Sequence, residues 1–201
     1  MIATNKFNFK ALLAGAALAF AFGGNAVAAE VSGVRIADTA KVGGKELVLN
    51  GLGVRTKVIF KVYVAGIYLS EKKNSVEDIL KAEGPRRVQI VMMRDVTSDE
   101  FGNQFMAGIN NNSTTAEKSK IITQISKFGE MFALLDGLKK GDVLDLDYTP
   151  GVGMQCHLNG KKIGEVAPTV EFTNAVMKIW LGEKPVDASL KAKLVGANTK
   201  K

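Results

Sequence analysis

Hydrophobic and polar positions in the first third of the chain follow the pattern of β-strands. Segments rich in β-branched and aromatic residues predict three strands, at residues 31–38, 45–50 and 56–70. A turn at Gly43-Gly44 separates the first two. The third segment is longer than a usual strand, so we expect a bulge, a bend or two sheets there. Between the second and third segments, residues 50–55 form a glycine-bearing bend that ends at Arg55.

The middle of the chain changes from strand to helix periodicity. Ser75 caps a short helix that extends to about Ala82, and residues 86–94 predict a central strand because both faces are apolar. Capping boxes at Thr97 and Thr114 each precede apolar residues at helical spacing. These apolar stripes predict a helix pair within residues 98–135: Phe101, Phe105 and Ile109, then Ile121, Ile125, Phe128, Phe132 and Leu135.

The last third of the chain predicts a three-stranded meander followed by helices. The strands are expected at residues 142–149, 154–158 and 161–166, and Asn159-Gly160 is a hairpin turn. Alternation in the first of these strands places Asp145 and Asp147 on its outward face. Helices are expected to begin at Thr169 and Asp187. The whole order predicts an α+β fold, a large antiparallel sheet with a layer of helices on one face.

The first thirty residues have the features of an export signal. Lys6 and Lys10 precede an apolar run at residues 11–22, which is too short to span a bilayer, and small residues follow up to Ala29. We therefore expect a signal peptide over residues 1–29. A single domain is expected over residues 30–201, with a polar tail from about residue 196. This organisation predicts a periplasmic or secreted protein.

Composition excludes several classes of function. The chain has a net charge of +7, and removing the two signal lysines leaves +5. The remaining basic residues are spread out rather than clustered beside aromatics, so we expect no nucleic-acid partner. Cys156 is the only cysteine and His157 the only histidine, which excludes an internal disulfide and a multi-histidine metal site. We expect no metal, no cofactor and no transmembrane segment in the mature chain.

No familiar catalytic motif is present. Gly51-Leu-Gly53 lacks the third glycine of a dinucleotide-binding loop, and no Gly-x-Ser-x-Gly elbow occurs. Cys156 and His157 are adjacent on a predicted strand and therefore point to opposite faces. We interpret them as a packed thiol and a surface imidazole. The alternative for His157 is a single axial ligand to a haem-type iron.

Arg55 is the most informative candidate for a binding residue. It follows two glycines and precedes an apolar strand, so its guanidinium is expected near the core, where an arginine requires a carboxylate or a similar planar anion. A structural ion pair or a surface charge is an equal alternative. Other side chains are candidates either for ligand contact or for ordinary packing: Tyr63, Tyr68, Phe101, Phe105 and Ile109.

Two segments carry a family resemblance: Gly-Leu-Gly-Val-Arg, which ends at Arg55, and Lys-Val-Tyr-Val-Ala-Gly-Ile-Tyr-Leu, which ends at Leu69. The helix pair, the hairpin over residues 142–166 and the segment from Asn174 to Glu183 follow in matching order. The chain thus resembles a bacterial exported member of the chalcone isomerase-like superfamily. The resemblance implies an open-faced β-sandwich with a ligand cleft between the sheet and the helices. Members include plant chalcone isomerases, fatty-acid binders and relatives without an assigned activity.

The resemblance also implies roles for individual residues. Arg55 matches an arginine that is catalytic in the isomerases and that holds the ligand carboxylate in the fatty-acid binders. Tyr63 stands where the enzymes have a threonine and the binders a tyrosine. Phe101 replaces a catalytic tyrosine, whereas Thr173 and Asn174 occupy a polar pair on a later helix. Only the arginine of the enzymes' catalytic set is clearly retained.

Arg55 and Tyr63 are eight residues apart, which is roughly 26 Å along a straight strand. The two side chains can bind the same ligand carboxylate only if the chain turns between residues 56 and 60.

The residues and the resemblance together therefore imply a non-catalytic periplasmic protein that binds a small apolar ligand with an anionic head, such as a fatty acid. The expected ligand contacts are Arg55, Tyr63, Tyr68, Phe101, Phe105, Ile109, Thr173 and Asn174. One alternative is a weak intramolecular lyase of chalcone isomerase type, in which Arg55 is the catalytic group. Another is a scaffold or interaction module whose cleft is closed by its own side chains.

Overall fold

The computed structural model describes residues 28–196. The predicted signal peptide lies outside the described residues except for Ala28 and Ala29, which belong to the first strand. The predicted polar tail also lies outside them, apart from Gly196.

Seven antiparallel strands form the main sheet, and each pairs with the strand that follows it in sequence. The strands are β3 (Thr39–Val42), β4 (Lys45–Lys57), β5 (Phe60–Leu69), β6 (Arg86–Met92), β7 (Val143–Thr149), β8 (Gly153–Leu158) and β9 (Lys161–Val166). A separate hairpin of β1 (Ala28–Val31) and β2 (Val34–Ala37) precedes them. The predicted single strand at residues 31–38 is therefore divided, because the chain turns at Ser32-Gly33 with both residues at positive φ.

Six helices complete the described chain: α1 (Val76–Lys81), α2 (Ser98–Asn112), α3 (Thr115–Lys120), α4 (Ile122–Ala133), α5 (Val170–Leu181) and α6 (Ala188–Leu194). Their apolar sides and one face of the sheet form the larger of two hydrophobic cores. Helices α2 and α5 approach closely at Gly108, where a β-carbon would lie 2.8 Å from the Ile179 side chain. This arrangement confirms the predicted α+β fold with helices on one face of an antiparallel sheet.

The observed helix caps agree in part with the capping boxes predicted from the sequence. Thr114 and Glu117 form the reciprocal capping box that was expected. Thr97 accepts from the backbone N–H of Glu100, but the Glu100 carboxylate pairs with Arg94 instead of returning to the cap. The second helix of the predicted pair is interrupted at Ile121, which separates α3 from α4.

The glycine-bearing segment at residues 50–55 is not a bend, which corrects the sequence interpretation. Strand β4 continues through it, with a bulge between Leu49 and Gly51. Helix α6 crosses at this point, and a β-carbon on Gly51 would overlap the carbonyl groups of Lys193 and Leu194. The glycine therefore permits a close approach of strand and helix.

The chain turns instead at Val58-Ile59, within the segment that was predicted as one long strand. Strands β4 and β5 form a hairpin around this turn, and Lys57 pairs with Phe60 across it. The turn falls between residues 56 and 60, where the geometry of Arg55 and Tyr63 required one.

The face of the sheet opposite the helices carries a second, smaller core, which includes Tyr68 and packs against the β1–β2 hairpin. Asp145 and Asp147 lie on this face, as expected, but they are buried rather than solvated. Arg87 donates two hydrogen bonds to Asp147, and Gln89 donates one to Asp145. These cross-strand partners offset the cost of burying the two carboxylates.

Candidate functional site

A cavity lies between the helix layer and strands β4–β6, near the β4–β5 turn. Its walls are mainly apolar, and its polar side chains are Arg55, Tyr63, Glu100, Gln104 and Trp180. The strands supply the arginine and the tyrosine, α2 supplies the glutamate and the glutamine, and α5 supplies the tryptophan. The polar groups of the cavity therefore come from four elements: the adjacent strands β4 and β5 and two helices that are distant from them in sequence.

The β4–β5 hairpin brings Arg55 and Tyr63 directly opposite each other. They are register partners across the two strands, and side chains in such positions have β-carbons about 5 Å apart. The Arg55 guanidinium carbon lies 5.4 Å from the centroid of the Tyr63 ring. Because the chain turns at residues 58–59, Arg55 and Tyr63 are in direct contact instead of being separated along one strand.

Arg55 is buried and makes no ion pair with any residue in the range 28–196. It is 7% exposed, and its Nη2 donates to the Oε1 of Gln104 at 2.8 Å. Its Nε is buried and has no hydrogen-bond partner among residues 28–196. Glu100 also lines the cavity, but it is paired with Arg94. A buried cation with donors unused is costly to the fold and is well suited to accept an anion.

Tyr63 supplies a second donor beside the arginine. Its hydroxyl oxygen accepts a hydrogen bond from Nε1 of Trp180 at 2.7 Å. Burial raises the pKa of the Tyr63 phenol, although the Arg55 charge opposes this shift. The phenol therefore stays neutral at physiological pH and keeps a proton to donate. Together the two residues can bind one carboxylate or a similar anion.

Stacked phenylalanine rings fill most of the apolar interior. The ring centroids of Phe105 and Phe128 are 4.2 Å apart, and those of Phe101 and Phe132 are 4.6 Å apart. The remaining cavity has a volume of about 50 Å³, which is room for a few water molecules. A longer apolar ligand therefore requires these rings to move.

Four of the predicted contact residues do not line this cavity. Tyr68 lies on the opposite face of the sheet, because it is an odd number of residues from Tyr63, and its hydroxyl donates to the Ala37 carbonyl at 2.8 Å. Ile109 is wholly buried in the main core. The Thr173 hydroxyl donates back to the Thr169 carbonyl at 3.1 Å.

Asn174, the fourth, belongs to a separate polar contact. Its Oδ1 accepts from Nη1 of Arg86 at 3.0 Å, and the same guanidinium nitrogen donates to the Leu80 carbonyl. Arg86 is buried against the Tyr148 ring and does not line the cavity. Arg86, like Arg55, has a buried Nε without a hydrogen-bond partner among residues 28–196. What distinguishes Arg55 is therefore its position in the cavity wall.

Gln104 and Trp180 are cavity residues that the sequence interpretation missed. Gln104 lies three residues after Phe101, on the same face of α2, so helical spacing already placed it beside the apolar stripe. A buried tryptophan N–H needs an acceptor, and that requirement was the available signal for Trp180. Neither signal identifies Arg55 or Tyr63 as the partner.

Cys156 and His157 contribute nothing to the cavity. Burial raises the pKa of the Cys156 thiol, which keeps it protonated and unreactive. His157 lies on the other face of the sheet, with its Nδ1 3.6 Å from Asp147. Within residues 28–196 no group of three or more histidine, cysteine or acidic side chains is placed to hold a metal ion.

A chalcone isomerase-like family model matches residues 28–196. The chain belongs to the chalcone isomerase-like family. Its fold is similar to the crystal structure of a fatty-acid binding protein from Arabidopsis thaliana, with a TM-score of 0.68 and 16% identity over 85% of this chain and 97% of that one. No curated protein sequence matches the chain. The predicted family and its open-faced fold are thereby confirmed.

Phe101 presents an apolar ring to the cavity of this chalcone isomerase-like chain. Among its described helices, none is both long and apolar enough to cross a bilayer.

Proposed function

We propose that the protein is a non-catalytic binding protein for a small apolar ligand with a carboxylate head, such as a fatty acid. The observation that carries this proposal is the buried Arg55, which faces a mainly apolar cavity and has no acidic partner among the described residues. An amphipathic carboxylate supplies the missing charge and leaves its tail in the apolar part of the cavity.

The carboxylate head lies in the part of the cavity that Arg55 and Tyr63 both line. One oxygen accepts from the guanidinium Nε, whose hydrogen is unused. The Tyr63 hydroxyl donates to the carboxylate while it still accepts from Trp180. Charged hydrogen bonds of this kind contribute about 1.5–3 kcal/mol each. The head group therefore provides much of the binding energy.

The tail extends towards Phe101 and Phe105. Binding pockets for small molecules usually enclose about 300–1,000 Å³, far more than the free space between these rings. Ligand entry therefore displaces Phe101, which is only partly buried, before the inner rings. The cost of this movement favours short or flexible apolar tails.

Two further observations support the proposal. The fold is similar to that of a protein described as a fatty-acid binding protein. The features of a signal peptide in residues 1–29 support export to the periplasm or the medium, where a carrier of a poorly soluble acid would act.

Native mass spectrometry of protein purified from its own host tests the proposal. Wild type should carry a small acidic lipid, and Arg55→Ala should carry much less. Loss of about 2 kcal/mol of binding corresponds to about a thirtyfold weaker complex. Tyr68→Phe is the matched control, because it removes a hydroxyl from the opposite face of the sheet and should leave the ligand bound. Wild type and Arg55→Ala carrying equal amounts of lipid would contradict the proposal.

A further inference from the structure

The tip of the β4–β5 hairpin exposes three consecutive large apolar side chains. Val58, Ile59 and Phe60 are 89%, 78% and 63% exposed. Isolated exposed apolar residues are common, but a contiguous group at a protruding turn is typical of an interaction site.

The backbone of the tip gives no structural reason for this composition. Val58 has a φ of +59°, a conformation that is unfavourable for β-branched residues and that glycine or asparagine adopts more easily. A polar or glycine residue at this position would suit both the turn and the solvent better. The valine therefore fits a role outside the fold of the isolated chain.

Basic side chains flank the apolar tip. Lys57 and Lys61 bracket it in sequence, and neither makes an ion pair within residues 28–196. Arg94 lies beside the tip in a shallow groove that it shares with Val58 and Phe60. Exposed apolar side chains that are flanked by lysines are complementary to an anionic lipid surface. The lysines can contact the charged head groups, and the apolar side chains can contact the acyl chains beneath them.

The tip is next to the mouth of the cavity. Val58 is three residues from Arg55, which is roughly 10 Å along the strand. Glu100 lines the cavity and pairs with Arg94, which lines the groove at the tip. A surface that holds the tip therefore also holds the cavity mouth close to it.

We propose that Val58, Ile59 and Phe60 insert into an anionic lipid surface, with Lys57 and Lys61 at the level of the head groups. The cavity then opens towards the bilayer, where a lipophilic ligand is concentrated. This inference goes beyond ligand binding and does not depend on the identity of the ligand.

Co-sedimentation with vesicles of phosphatidylcholine mixed with phosphatidylglycerol tests the inference. Wild type should bind these vesicles more tightly than pure phosphatidylcholine vesicles, and salt should weaken the binding. Ile59→Ser with Phe60→Ser should weaken it by roughly tenfold or more for each side chain. Charge reversal at Lys57 and Lys61 should reduce the preference for phosphatidylglycerol.

Val152→Ser is the matched control. Val152 is 51% exposed in the β7–β8 turn, at the opposite end of the sheet, and its replacement should leave vesicle binding unchanged. Absence of wild-type binding, or equal binding by the Ile59 and Phe60 variant, would overturn the inference. A wild-type dimer that this variant converts to a monomer would also overturn it, because the tip would then be an interface between two copies. Binding of a soluble ligand should be unaffected by the variant, so the two proposals fail separately.

Discussion

Replacement of Arg55 by methionine separates a binding role from a structural role. Methionine keeps an unbranched apolar stem of similar length and removes the charge. If Arg55 serves a ligand, the empty protein gains from the change or tolerates it. If Arg55 serves the fold, the change removes a supporting interaction and the protein loses stability.

The magnitude follows from the contacts of Arg55. The variant loses one hydrogen bond to Gln104 and the contact with the Tyr63 ring, which together contribute about 2–4 kcal/mol. It also removes a buried cation that has no counter-ion in the described part of the chain, and the desolvation of such a cation costs several kcal/mol. We therefore expect the free energy of unfolding to change by between about 0 and +2 kcal/mol.

Urea unfolding of the ligand-free wild type and of Arg55→Met measures this difference. Arg87→Met is the contrasting variant, because Arg87 pairs with Asp147 and lies near Asp145 in the second core. Its removal leaves buried carboxylates unpaired and should cost about 3–5 kcal/mol. A comparable loss in Arg55→Met would refute the reasoning and would assign Arg55 to the fold.

Three other expectations follow from the same structure. Tyr63→Phe should weaken binding of a carboxylate ligand by about tenfold, whereas Tyr68→Phe should leave it unchanged, and a titration followed by Trp180 fluorescence measures both. Gly51→Ala should destabilise the protein by about 1–3 kcal/mol, because the added β-carbon overlaps α6. At Gly129 an added β-carbon meets no atom within 4 Å, so Gly129→Ala should stabilise α4 slightly in thermal unfolding. Burial raises the pKa of Tyr63 and Tyr68 above the ordinary value of 10.0, so the folded protein retains protons that the unfolded chain loses. The free energy of unfolding should therefore fall above pH 10, and it should fall less steeply in Tyr68→Phe.

Local patterns predicted most of the secondary structure, and the length of the segment at residues 56–70 indicated a break in it, but they did not predict the position of the β4–β5 turn. Residues 56–70 are mostly β-branched, aromatic or otherwise apolar, and Val58-Ile59 lacks the glycine or asparagine that usually marks a hairpin turn. The turn could not be placed from local pattern, because the register between Arg55 and Tyr63 depends on pairing along two whole strands.

The glycines at 51 and 53 show a second limit of local pattern. A glycine-rich segment favours a bend unless another element packs over it, and that element is α6, about 140 residues later. The burial of Asp145 and Asp147 has the same origin, since their partners Arg87 and Gln89 lie on a different strand. Long-range packing decided both features.

The candidate site was predictable in part. Arg55, Tyr63, Phe101 and Phe105 line one cavity. All four are candidates from the residues alone, and the family resemblance adds an expected role in ligand binding for the first two. Strand parity alone was enough to exclude Tyr68 from the same face as Tyr63. Thr173 could not be excluded in this way. Whether its side chain faces the cavity or the helix backbone depends on how α5 is rotated against the sheet.

A comparison of decanoate with decanol tests the central claim most directly. The two ligands share an apolar tail and differ in the charge of the head, and Trp180 in the cavity wall reports their binding. Wild type should bind decanoate about 10- to 100-fold more tightly than decanol, and Arg55→Met should bind the two about equally. Equal affinity of the wild type for both ligands, or a preference for decanoate that persists in Arg55→Met, would contradict the account.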